Sequence, residues 1–138
     1  MDIAPSEWER FCSGLRLTSP AEASQIQKAE QEIGSPLPNE YKEFLTKTNG
    51  AEGALGENAY VMLWSVEDLR RLNEAYQVAI YAPGYLIFGS DGGGEAFAFD
   101  LQSKSRSIVM IPFVGMSRDL ARPMATGFWQ FLDKLWRS

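Results

Sequence analysis

Apolar residues recur at helical spacing near both ends of the chain and cluster at strand spacing between them. Trp8, Phe11, Cys12 and Leu15 share one face of a first helix over Pro5 to Leu15. Cys12 on that face is expected to be a small core residue rather than a nucleophile. In "SPAE", Ser19 can cap a second helix, Pro20 suits its first position, and Glu22 completes a capping box. Ile26, Ala29 and Ile33 line the inner side of that helix, and Gly34 ends it. "SPLP" forces an extended connection, because residues before proline avoid the helical region. Pro38 then opens a third helix with Tyr41, Phe44 and Leu45 inward, and Asn49-Gly50 stops it.

The centre changes character. "YVMLW" (60–64) predicts a buried strand, and Ser65 with Asp68 marks an N-cap. Leu69, Leu72, Tyr76 and Ile80 follow as one helix ending before Pro83. "YLIFG" (85–89), "AFAFD" (96–100) and "SIVMI" (107–111) are short apolar runs between turn-rich segments, the mark of an antiparallel meander. Phe128, Phe131, Leu132, Leu135 and Trp136 then trace one stripe of a C-terminal helix. Trp129 falls off that stripe, as rim packing or a contact residue, and packing is the simpler role. Helices, then strands, then a helix argue an α+β fold, with helices covering one face of an antiparallel sheet.

Composition narrows the chemistry more than the fold. With 138 residues and no repeat, low-complexity tract or linker, the chain is expected to form one domain over residues 1–138. There is no histidine, which removes the commonest general base, the usual zinc ligand and the Ser-His-Asp and Cys-His arrangements. One cysteine cannot form an internal disulfide. No catalytic residue, cofactor or metal is therefore expected.

No apolar run approaches the ~20 residues that cross a bilayer. "MDIAPSEWERFCSGL" has early acids and no long apolar block, unlike a secretory signal. A cytoplasmic protein without membrane partners is expected. The net charge of −5 is uneven: residues 1–74 carry 13 acids and 7 bases, residues 75–138 carry 5 acids and 6 bases. No Lys/Arg stripe exists to neutralise phosphates, so direct nucleic-acid binding is disfavoured. The acidic excess suits solubility, or a basic protein partner.

"FGSDGGGEAFAFD" (88–100) is the most conspicuous stretch. A phosphate cradle places its glycines between a strand and a helix, but here a second strand follows, without a Lys-Ser/Thr pair. Asp91 and Glu95 would repel a phosphate and are too few for a calcium loop. Glu95 and Asp100, five apart on or beside one strand, fall on opposite faces, which weakens any paired-carboxylate chemistry. A hairpin turn remains, with glycines supplying positive φ and acids displayed at its rim.

The order of these segments resembles the SUKH superfamily, in particular the branch typified by the fungal cell-wall assembly regulator and its bacterial relatives. The resemblance covers about residues 20–136. It rests on Leu-Pro-x-x-Tyr-x-x-Phe-Leu (37–45) ending in Asn-Gly, "LWSVEDLRRLNEA", the Gly-x-Asp-Gly-Gly-Gly-Glu hairpin (89–95) and "GFWQFLDKLW". It implies a curved antiparallel sheet with helices packed around it. It also implies a non-catalytic protein-binding role, chiefly as an immunity protein that neutralises a polymorphic toxin domain such as a nuclease or deaminase. A regulatory scaffold or small-ligand sensor is the alternative. The hairpin signature falls on Asp91, Gly94 and Glu95, with Trp64 and Asp100 flanking it, and these five are the expected partner-binding residues.

Overall fold

The structure is a computed structural model that describes residues 3–138; of the expected domain, residues 1 and 2 lie outside the described part. Its elements run α1 (Pro5–Cys12), β1 (Leu15–Leu17), α2 (Ala23–Ile33), α3 (Asn39–Leu45), β2 (Ala51–Leu55) and β3 (Ala59–Leu63). After a 3-10 turn at Val66–Asp68 come α4 (Leu69–Ala75), α5 (Val78–Tyr81), β4 (Tyr85–Ser90), β5 (Glu95–Asp100) and β6 (Ile108–Pro112). A second 3-10 turn, Arg118–Leu120, precedes β7 (Arg122–Ala125) and α6 (Phe128–Arg137). The seven strands form one sheet in chain order, every neighbouring pair antiparallel. The fold is α+β.

Both faces of the sheet are used: the order of segments argued helices on one face, the resemblance helices packed around the sheet, and the second holds. Leu86, Phe88, Phe97 and Phe99 point to the first face, where they meet Phe11, Tyr41, Phe44, Phe128 and Phe131 from α1, α3 and α6. The rings interlock: Phe88 and Phe99 stack at 4.3 Å, and Phe131 meets Phe97 edge-on at 4.8 Å. Each such ring removed from water stabilises by roughly 1.5–3 kcal/mol. On the second face, Ile87, Ala96, Ala98, Val109 and Ile111 pack under Val78, Ala82 and Met116. Burial on both sides explains why β4 and β5 are apolar without a gap. The alternation inside β5, Ala-Phe-Ala-Phe, assigns small residues to the shallow second layer and large rings to the deep first one.

Several local expectations move. The first helix ends at Cys12, and Leu15 starts the edge strand β1 instead. Cys12 is half-exposed, while Phe11 takes the core position. Glu22, not Ser19, caps α2, and Gln25 Oε1 accepts from the Glu22 amide at 2.8 Å. The expected helix from Leu69 to Ile80 breaks at Gln77, whose φ of 56° interrupts the ladder between α4 and α5 and turns Ile80 outward, 70% exposed. Trp129 packs, as expected: its ring meets Phe44, Phe128 and Trp8 edge-on, and Nε1 donates to Glu43 at 3.1 Å.

Candidate functional site

Asp91 to Gly94 form the loop of the β4–β5 hairpin, closed by Asp91 N donating to the Glu95 carbonyl at 3.0 Å. One oxygen of Asp91, Oδ1, accepts from Gly93 N at 2.8 Å and Glu95 N at 3.2 Å. The carboxylate thus folds back over its own turn and satisfies amides that the tight loop leaves unpaired. Gly92 has φ 82°, and a Cβ there would come within 3.0 Å of the Tyr60 ring. Gly94 stands in open space, and its carbonyl accepts from Phe113 N at 3.0 Å.

The other two hairpin acids lie apart. Glu95 shares its face with Phe97 and is ion-paired with Arg122, which also reaches Met110 Sδ. Asp100 is at the far end of β5, on the opposite face. Its Oδ1 accepts from Gln102 N at 3.0 Å, and Oδ2 lies 3.8 Å from Arg118, whose guanidinium covers Tyr85. The five expected residues are therefore not one cluster. Trp64 and the Asp91–Gly94 loop border the same second face, whereas Glu95 and Asp100 are engaged in separate ion pairs.

Trp64 leads to residues the sequence reading passed over. β3 is half-buried rather than buried: Val61 and Leu63 face the core, while Tyr60 and Met62 are 44% and 38% exposed on the second face. One step past the Leu63–Gly89 pair, the Phe88 carbonyl accepts from Trp64 N at 3.0 Å, beside the bulge that β4 makes against β5 between Ile87 and Gly89. The Trp64 ring then stacks on Tyr76 at 6.2 Å, and Tyr76 meets Phe113 at 4.7 Å. Tyr60, Met62, Trp64, Tyr76 and Phe113 thus run as a partly exposed apolar strip beside the hairpin. The signal in the sequence was the alternation of "AYVML" itself, which fits a strand wet on one side.

Carboxylates edge this strip. Glu52, directly across from Met62 on β2, lies beside Tyr60; partial desolvation together with that carboxylate pushes the phenol's pKa up. Glu67 accepts from Asn49 Nδ2, and Asn49 Oδ1 accepts from Val66 N at 2.8 Å. Asp68 is held by Arg71 at 3.0 Å and by Ser65 Oγ at 3.0 Å; those bonds, Arg71 first, lower its pKa against a smaller effect of burial. Trp64, Met62, Gly50, Glu52 and Asp68 enclose a shallow groove of about 410 Å³. A second, apolar-lined cavity of about 390 Å³ lies between α4–α5 and β4, walled by Ile33, Val78, Ile80, Tyr85, Leu86 and Leu101.

Among the described residues, no group of three or more Cys, Asp or Glu side chains is placed to hold a metal ion. No helix among the described residues is long and apolar enough to cross a membrane. A segment of 70 residues is 36% identical to the uncharacterized protein YnaB of Bacillus subtilis (strain 168), covering 51% of this chain and 44% of that protein. The chain therefore spans less than half the length of this relative. The model of the SMI1 / KNR4 family (SUKH-1) matches residues 20–134, from just before α2 into α6. With the hairpin, the Leu37–Leu45 segment and most of the C-terminal aromatic helix inside that match, the chain belongs to the SMI1 / KNR4 family (SUKH-1).

Proposed function

We propose that the domain is a non-catalytic protein-binding module and acts as an immunity protein, covering and neutralising a cognate toxin domain. The observation that carries this is the partly exposed apolar strip of Tyr60, Met62, Trp64, Tyr76 and Phe113. Exposed apolar surface of that kind, rimmed by polar groups, marks protein interaction sites. Family membership supports the same reading. The acidic N-terminal half would speed encounter with a basic toxin such as a nuclease. Of the five residues expected from the sequence, Trp64, Asp91 and Gly94 border this surface, while Glu95 and Asp100 are assigned a supporting role through Arg122 and Arg118.

The test is co-expression with the toxin-like product of a neighbouring gene, scored by cell survival and by co-purification. Protection that Tyr60→Ser and Met62→Ser together remove supports the reading; no binding and no protection by the wild-type protein overturns it. The alternative, a small-ligand sensor, draws on the cavity beneath α5. Its volume falls within the range of small-molecule sites, and its lining is mostly apolar. A metabolite-dependent rise in melting temperature that Leu86→Phe abolishes would favour the sensor.

A further inference from the structure

We infer that the groove beside Trp64 is a seat for a basic segment of the protein partner, with an arginine side chain laid against the indole and its charge among Glu52, Glu67 and Asp68. The inference rests on the protein-binding reading and specifies the chemistry that this face recognises.

Charge complementarity carries it. Two carboxylates, Glu52 and Asp68, line the groove with one guanidinium, Arg16; Glu67 stands beside it, held by Asn49, and Arg71 pairs with Asp68. Two of the carboxylates are positioned before any partner arrives: Asn49 holds Glu67, while Ser65 and Arg71 hold Asp68. Preorganised acids of this kind recover a cation's lost hydration without reorganising first. Glu52 is the exception and the opening. Its partner is Arg16 at 3.5 Å, from a side chain 79% exposed on the edge strand β1. So exposed a pair is weak and easily exchanged. A partner's arginine can displace Arg16 and lay its stem and guanidinium along the apolar floor of Met62 and Trp64.

A second copy of the chain fits this seat less well. It would bring another net negative surface to the same acids. A planar guanidinium suits the floor better than an ammonium, because it stacks on an aromatic ring while its edge donates to carboxylates.

The probe is a set of blocked peptides of matched length, carrying arginine, citrulline or glutamate at the same positions. Each is titrated into the 15N-labelled full chain. The arginine peptide is expected to shift Gly50, Glu52, Met62 and the Trp64 indole, and the other two to leave them unmoved. Glu52→Gln should weaken binding by about five-fold, the upper end for an exposed charge pair. Arg16→Ala, which frees Glu52, should strengthen it, an outcome that a merely structural role for these residues would not produce. Equal binding of the citrulline peptide, shifts as large around the acids of α1 and α2, or an unchanged affinity in both variants would overturn the inference. So would concentration-dependent broadening of the same signals without peptide, which assigns the face to a second copy. A toxin neutralised equally well by Glu52→Gln would remove the seat and leave the immunity reading standing. Peptide mapping to the groove without any toxin bound would do the reverse.

Discussion

Asp91 separates architecture from recognition, and two substitutions at this position can tell them apart. Its Oδ1 accepts from Gly93 N at 2.8 Å and Glu95 N at 3.2 Å. Asp91→Ala releases both amides at a loop that water can reach, so neither is stranded in the dry interior. The cost is then the net value of the two bonds, comparable with losing a helix N-cap: about 1–2 kcal/mol. For a chain of this length that corresponds to a fall in melting temperature of roughly 3–6 °C. Asp91→Asn keeps an oxygen of the same geometry and loses only the charge, so it should stay within about 0.5 kcal/mol of wild type. Urea unfolding followed by tryptophan fluorescence and a thermal scan would both report the difference. If Asp91→Ala were as stable as wild type, the turn-closing role would be refuted. If it also lost partner binding that Asp91→Asn lost equally, the carboxylate would be a contact and its fold-back geometry incidental.

Gly89→Ala should be far costlier, because a Cβ there would lie 2.6 Å from the Met62 carbonyl where β3 and β4 pair over only two residues. A loss of about 2–4 kcal/mol is expected, whereas Gly94→Ala, in open space, should change stability by about 0.5 kcal/mol or less. Burial pushes the Cys12 thiol pKa up, so alkylation by iodoacetamide at neutral pH should be slower in the folded protein than in urea; a faster folded-state rate would contradict that placement. Asp68 has a folded pKa below its unfolded value, so its contribution to stability is complete above about pH 4 and is lost as pH falls through the folded value. The stability gap between wild type and Asp68→Asn should accordingly close in acid; a gap that persists at the lowest pH would contradict the linkage.

What the sequence disclosed depends on how strongly each segment commits to one period. α6 was legible because five large apolar residues recur on one stripe, and β4, β5 and β6 because their runs are continuous and bounded by turns. β1 was hidden in "LRL", three residues with a charge at the centre. β2 carries Gly53 with φ 145° in its middle, where Gly14 of the neighbouring chain segment presses too close for any side chain. β7 contains Pro123, a residue that argues against a strand except at a sheet edge, and the edge is where it lies. The break at Gln77 has no glycine or proline to announce it. The hairpin was recognised as a hairpin, but that the Asp91 carboxylate closes the turn could be seen only from the backbone.

The same reasoning locates the candidate face. The second layer, α5 with the segment around Met116, covers only the middle of the sheet, where Ala96 and Ala98 leave room for it. That cover ends at the Trp64–Tyr76–Phe113 row, and β2 and β3 continue beyond it with Tyr60 and Met62 exposed. A strand left bare in this way usually carries polar residues outward, as Glu52 and Arg16 do on β2 and β1. β3 carries Tyr60 and Met62 instead. Neither is needed to close the core, since Val61 and Leu63 do that from the other side. Tyr60 packs on Gly92 at the hairpin tip, so the loop and the strip support one another. Of the three loop glycines, Gly92 thus lets the hairpin approach Tyr60 and Met62 of β3 closely, and the surface it helps to build is the proposed partner face.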